Sequence, residues 1–240
     1  MAVFETEFVS HEIVAEGTIA FHFLKPPGFR FKAGQSMKVT LINPPDTDGK
    51  GSSRTFSIVS APFEDSLVIA TRMRDTAFKR VLRAMPARAK LQLNGPAGQF
   101  TLDDGGTGPA VFLSGGIGIT PFVSMLRQAA HDRLPRKLTL FYSNRRPEDA
   151  AFLGELQQLQ TRNPNYRFIG TMTNMEKSLQ PWNGDKGFID KTMLARSIDD
   201  ISAPVYYIAG PPAMVDAMQT MLVGAGVKAE EIRTDEFYGY

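Results

Sequence analysis

Residues 1–105 are predicted to form an antiparallel β-barrel, and residues 106–240 an α/β domain built on a parallel sheet. Three observations carry that reading. The first part is a run of short, evenly spaced apolar or alternating segments divided by turn residues. The second part changes rhythm to strand, helix, strand, helix. Between them lies the polar, glycine-rich stretch 103–109, Asp-Asp-Gly-Gly-Thr-Gly-Pro, which suits a domain boundary.

The barrel strands are read at 8–14, 18–23, 37–42, 55–59, 67–71 and 90–93. Turn residues separate them, among them 25–28 (Lys-Pro-Pro-Gly), 43–46 (Asn-Pro-Pro-Asp) and 95–98 (Gly-Pro-Ala-Gly). One segment breaks the pattern. Over 76–85, Ala77, Phe78, Val81, Leu82 and Met85 recur at helical spacing, so a single helix interrupts the barrel. In the second domain, strands are expected at 109–114, 138–143, 166–172 and 204–209. Helices are expected at 120–131, 149–161, 191–197 and 212–224.

Composition narrows the chemistry. Net charge is only +2, from 27 basic and 25 acidic residues, so no strong field for nucleic acid or for a membrane surface is implied. The chain has no cysteine, which excludes disulfides, thiolate metal or cluster ligation and a cysteine nucleophile. His11, His22 and His131 lie far apart without metal-ligand spacing, and no metal site is expected. Neither a leader segment nor an apolar run of membrane length is read, and the cytoplasm is the expected location.

The most informative stretch is 109–126. An apolar strand runs into Ser114-Gly115-Gly116-Ile117-Gly118-Ile119-Thr120-Pro121, and then into a helix that Pro121 is suited to open. Strand, glycine turn and helix together aim free backbone N–H groups at a phosphate, and the glycines let a pyrophosphate approach the backbone. Pro121 stands where a third glycine or alanine would complete the usual fingerprint, so a tight structural turn is the competing reading. In the barrel, Arg54-Thr55-Phe56-Ser57 places an arginine, an aromatic and a hydroxyl on one strand, where they either meet a phosphate and a planar ligand or serve as surface and core.

Four motifs occur in order: Arg54-Thr-Phe-Ser57, Gly95-Pro-x-Gly98-x-Phe100, Gly115-Gly-x-Gly-x-Thr-Pro121 and Gly210-Pro-Pro-x-Met214. Their order and spacing resemble the ferredoxin–NADP reductase superfamily, in which a flavin-binding barrel precedes a nicotinamide-nucleotide domain. The resemblance covers nearly the whole chain. It implies FAD rather than FMN as the bound flavin and NADH or NADPH as electron donor. Arg54 would pair with flavin phosphate and Thr55 would adjoin it. Phe56, in place of the family's more usual tyrosine, would lie against the ring, and Ser57 would serve its reactive edge. Thr71 and Arg72 would line the ring with backbone. Thr76, Ala77, Phe78 and Lys79 would receive the pyrophosphate at the helix start, with Lys79 where the family often has a hydroxyl. Arg72, Arg74 and Arg80 either add to that site or form a solvated face.

By the same resemblance Gly115, Gly116, Gly118, Thr120 and Pro121 would hold the nicotinamide nucleotide's pyrophosphate. Asn144 would bond its ribose, and Arg145 or Arg146 would meet a 2′-phosphate. Gly210, Pro211 and Met214 would border the nicotinamide, beside Ala209 where many relatives have cysteine. Phe237 or Tyr240 would cover the flavin face. The loop containing Trp182, Gly184 and Gly187 resembles a family loop and receives no catalytic role.

The implied function is a flavin-dependent NAD(P)H oxidoreductase that passes electrons to a separate redox protein such as ferredoxin, flavodoxin, a cytochrome or an oxygenase component. The alternatives are a reductase of free flavin or ferric chelates, and a non-enzymatic binding module that keeps the fold.

Overall fold

The computed structural model describes residues 2–102 and 106–238. Residues 103–105 of the expected linker and Tyr240 lie outside this description. The chain divides into two compact units, Met1–Leu102 with Thr120–Gln128, and Asp103–Ile119 with Ala129–Tyr240.

The first unit contains β1 (Val3–Ala15), β2 (Thr18–Leu24), β3 (Ser36–Leu41), β4 (Ser53–Ser57), β5 (Ser66–Arg72), α1 (Ala77–Arg83) and β6 (Lys90–Ala97). The strands are antiparallel in the order β4-β3-β6-β1-β2-β5. Just beyond β4, the Val59 amide donates to the Val68 carbonyl of β5 at 2.8 Å, drawing the two ends of that order together. β1 is longer than its apolar pattern suggested because it serves two partners. Val3–Glu7 pairs with β6, and the stretch from Phe8 to Ala15 pairs with β2 through two register shifts.

Alternation sets which face is buried. On β3, Met37, Val39 and Leu41 turn inward while Lys38 stays exposed. They join Phe21, Phe23, Ile69, Leu91 and Leu93 in one core, and Phe78 and Leu82 of α1 insert into it. This burial explains why a helix can interrupt the barrel: its apolar stripe closes one end of the core. Thr76 caps α1 by accepting the Lys79 amide at 3.4 Å. The helix stops short of Pro86, which disfavours helical geometry at the residue before it.

The second unit holds β7 (Ala110–Gly115), β8 (Leu138–Asn144), α3 (Leu153–Arg162), β9 (Tyr166–Met172), β10 (Asp185–Lys186), α4 (Lys191–Ala195), β11 (Val205–Gly210), α5 (Pro212–Gly224) and β12 (Ile232–Glu236). α2 (Thr120–His131) follows β7 through a 3-10 turn at Gly116–Ile119. All six strands are parallel, in the order β10-β9-β8-β7-β11-β12. Every residue of β7 is buried, as a central parallel strand covered on both faces should be.

The sheet has two strands beyond the four expected, β10 and β12. β10 is only two residues long. β12 reads Ile-Arg-Thr-Asp-Glu and has no apolar alternation. It is a strand because it pairs along β11 from Tyr206–Ile232 to Gly210–Glu236.

α2's opening turns are tied within the first unit. Ser124 Oγ donates to the Ser60 carbonyl at 2.7 Å, and Arg127 meets Glu64 at 3.4 Å. Among the described residues no helix is long and apolar enough to cross a membrane.

Candidate functional site

In the first unit, the end of β4 and the start of α1 gather most of the expected flavin residues. The Arg54 guanidinium lies 5.2 Å from the centre of the Phe78 ring, and Phe56 packs against the same ring at 5.9 Å. Phe56 stays half-buried, whereas Phe78 and Ala77 are fully buried and can offer a ligand only their backbone N–H groups. Thr55 points to the opposite, exposed side of β4. Ser57 is buried, and its hydroxyl has no hydrogen-bond partner among the described residues.

Lys79 carries the clearest electrostatic signature. Its Nζ donates to the Arg72 carbonyl at 2.6 Å. Burial, then the positive charges of Arg74 and Arg54, hold its pKa below the usual lysine value. No carboxylate pairs with Lys79 or Arg74 among the described residues. Three cations crowded in this way fit an anion of more than one charge. Arg80 is different: it is neutralised by Asp46, at 2.6 Å, and by Asp75. It therefore adds no free charge to the cluster. Thr71 is buried at the end of β5, with Arg72 beside it.

In the second unit the sheet order reverses between β7 and β11, and their carboxyl ends define a topological switch point, where open α/β sheets take ligands. Gly115, Gly118, Gly210, Pro211 and Met214 form one packed knot there. A Cβ on Gly118 would run into the Ala209 carbonyl, and a Cβ on Gly115 would run into the Met214 thioether. Gly210 lies against the Gly115 backbone, where a Cβ would come within 3.2 Å of its nitrogen. These glycines let the turn after β7 press onto the end of β11, a packing reason beside the nucleotide reading. Gly116 has φ +55°, which glycine adopts without strain. Thr120 and Pro121, both buried, open α2. The Phe237 amide donates to the Gly210 carbonyl at 2.9 Å, which places that residue at the same end of the sheet.

Beyond β8 the two arginines part. Arg146 grips the buried Asp149 through Nε at 2.9 Å and Nη2 at 3.0 Å. Arg145 is exposed and reaches that carboxylate only at 3.8 Å. Asn144 is 5% exposed, and neither its amide oxygen nor its amide nitrogen has a partner among the described residues. A buried amide left unpaired is costly, and it marks a place where a ligand's hydroxyls would be accommodated.

The Oxidoreductase NAD-binding domain family model matches residues 112–220. Ferredoxin–NADP reductase B of Sorangium cellulosum is 28% identical over 227 residues, covering 91% of this chain and 90% of that one. By these matches the chain is similar to FAD- and NAD(P)-binding oxidoreductases of the ferredoxin–NADP reductase type. The glycine betaine monooxygenase reductase subunit of Chromohalobacter salexigens is 27% identical over 224 residues, covering 92% of this chain and 60% of its own length. The chain thus spans about three fifths of the length of monooxygenase reductases it matches. A ferredoxin NADP+ reductase from Neisseria gonorrhoeae, solved with bound FAD and NADP, shares the fold. Its TM-score is 0.81 at 23% identity, with 98% of this chain and 99% of that chain covered.

Several polar groups that organise the site carry no motif in the sequence. Asp48 faces Arg54 from the loop between β3 and β4, with no motif to announce it. Glu148 accepts the Leu179 amide at 2.6 Å, the Gln180 amide at 3.1 Å and the Ser178 hydroxyl at 2.9 Å, so one carboxylate fixes the loop that follows β9. Trp182 lies over Gly170 and Gly184, where either Cβ would meet the indole within 2.7 Å. It lines a groove of about 540 Å³ with Pro147, Leu153 and Phe168. Trp182 and Gly184 stand out in the sequence, whereas Gly170 on β9, which the indole also covers, does not.

Proposed function

We propose that the chain is a flavin-dependent NAD(P)H oxidoreductase delivering electrons to a separate acceptor such as ferredoxin, flavodoxin, a cytochrome or an oxygenase component. The observation that carries this reading is the Arg54–Arg74–Lys79 cluster beside the half-buried Phe56 ring, with the buried Ser57 hydroxyl at the end of the same strand. Those residues fit a flavin: cations for its phosphates, a ring face for the isoalloxazine and a hydroxyl for its reactive edge. FAD is the proposed flavin, in keeping with the FAD carried by the Neisseria reductase. A bound flavin supplies the redox chemistry by accepting a hydride from reduced nicotinamide. The chain's own groups orient the two ligands and balance their charge.

The glycine turn, Asn144 and Arg145 are the proposed nicotinamide-nucleotide contacts, with Gly210, Pro211, Met214 and Phe237 at the same end of the sheet. The geometry favours NADPH over NADH. Both carboxylates that follow β8 are committed, Glu148 to loop amides and Asp149 to Arg146, while Arg145 remains exposed. The cytoplasm, where these nucleotides are kept reduced, is the proposed location.

A second reading, a reductase that exchanges flavin as a substrate, draws support from the ion pair already holding Arg54. The test is a visible absorbance spectrum of the purified protein, taken alone and reconstituted with FAD, before and after anaerobic NADPH and NADH. Flavin bands that bleach, faster with NADPH, are the expected result. A protein that takes up no flavin is a binding module or something else, and the oxidoreductase reading is lost.

A further inference from the structure

Both terminal nitrogens of Arg54 are already engaged. Its Nη2 donates to Asp48 Oδ1 at 2.8 Å and to Oδ2 at 3.2 Å. Its Nη1 donates to the carbonyls of Lys50, Gly51 and Ser53 at 2.8–2.9 Å. Only Nε is left without an acceptor among the described residues. The same loop is fastened a second time, since Asp46 accepts from Arg80 through Nε at 3.1 Å and Nη2 at 2.6 Å. Two carboxylates of the loop between β3 and β4 thus lie on two arginines at the rim of the flavin cluster. The half-buried Lys79 and the exposed Arg74 have no carboxylate of their own among the described residues.

We propose that Asp48 sets the affinity of the flavin site: it holds the fork of Arg54 that a flavin phosphate needs, so phosphate binds by displacing it and the flavin is an exchangeable ligand. The proposal rests on the flavin reading given above. Charge decides the direction of the exchange. Asp48 brings one charge to Arg54, whereas a flavin phosphate or diphosphate brings roughly two charges and several oxygens for the cluster of Arg54, Arg74 and Lys79. Lys79, whose proton is already weakened by burial and by its cationic neighbours, gains most from the incoming anion. Asp48 loses little on release, because its side chain is 31% exposed and returns to water. The cost of opening remains in the measured affinity, which falls short of the intrinsic value by the fraction of chains in which Arg54 is open.

The test is fluorescence titration of flavin-free full-length protein with FAD, FMN and riboflavin, the last having no phosphate. Asp48→Asn removes the competing charge at nearly constant volume, and Asp48→Ala repeats the test with the acceptor gone. Both variants are expected to tighten FAD and FMN by about three- to tenfold, mostly through faster binding to an Arg54 that is already open, and to leave riboflavin unchanged. Arg54→Ala is expected to weaken FAD and FMN by about tenfold or more. Unchanged or weaker FAD and FMN binding in both Asp48 variants overturns the proposal and makes Asp48 a support that orients Arg54. Equal tightening of all three flavins also overturns it, because the effect then lies outside the phosphate. Should the wild-type chain bind none of the three, the flavin reading itself fails and takes the proposal with it.

Discussion

Arg145 and Arg146 are adjacent in sequence, yet only one is available to a ligand. The bidentate pair between Arg146 and Asp149 buries the carboxylate to 4% exposure, so removing the arginine strands a charge in the interior. Arg145→Ala is expected to raise the KM for NADPH about tenfold or more while leaving NADH nearly unchanged, because only the 2′-phosphate distinguishes the two. Steady-state kinetics with both nucleotides reads this directly, and equal losses would place Arg145 elsewhere. Asp235 offers a second expectation at this scale. Burial alone pushes its pKa up, from 3.8 to about 6. A carboxyl with a raised pKa favours the folded state while protonated. Its penalty grows as pH rises from about 4 to about 6 and then stays constant. Asp235→Asn is therefore expected to stabilise the protein at pH 7, by up to about 3 kcal/mol, and to change little at pH 4. Denaturant melts at the two pH values check it.

At the scale of elements, the loop after β9 shows how one side chain can stand in for secondary structure. Burial pushes the Glu148 pKa up, but the amides and hydroxyl that its carboxylate accepts together pull it lower still. A depressed carboxyl supports structure above its unfolded pKa of about 4.5 and loses that support as pH falls through the folded value. Glu148→Ala is expected to speed hydrogen exchange at the Leu179 and Gln180 amides at pH 7, and acid is expected to do the same in the wild type. Protection that persists in the variant would mean that the loop is held by other contacts. None of this was legible in the sequence, because Glu148 lies thirty residues and more from the amides it binds. β12 was illegible for a related reason: Arg233, Thr234 and Asp235 carry no apolar alternation, and pairing with β11 alone makes them a strand. Local rules sufficed where burial is periodic, as in Met37, Val39 and Leu41 of β3 or the apolar stripe of α1. They also located the glycine turn after β7, though not its reason, since a neighbouring carbonyl fills the space beside Gly118. Arg54 could be singled out as a candidate phosphate ligand from its motif. Its engagement by Asp48 depends on how the loop between β3 and β4 folds back, which no spacing rule encodes.

The whole chain is two compact units with separate candidate sites, Arg54, Arg74 and Lys79 in the first and Asn144 and Arg145 in the second. Each ligand stabilises the folded state by its own binding free energy, roughly 2.7 kcal/mol at a hundredfold excess over Kd. For a protein of this length that corresponds to a rise in Tm of about 5–10 °C if unfolding is a single transition. The form of the melt then becomes informative. If the units unfold independently, FAD is expected to raise only the transition that exposes Phe21, Phe78 and the rest of the barrel core, and NADP+ only the one that exposes β7 and β11. If they unfold together, each ligand raises one shared transition and the two shifts add. Calorimetry with each ligand and with both separates these cases. Riboflavin serves as the control, because without a phosphate it should shift the barrel far less than FAD does. A barrel transition that moves equally with riboflavin and FAD would show that the Arg54–Arg74–Lys79 cluster contributes nothing to flavin binding, whatever its charge suggests.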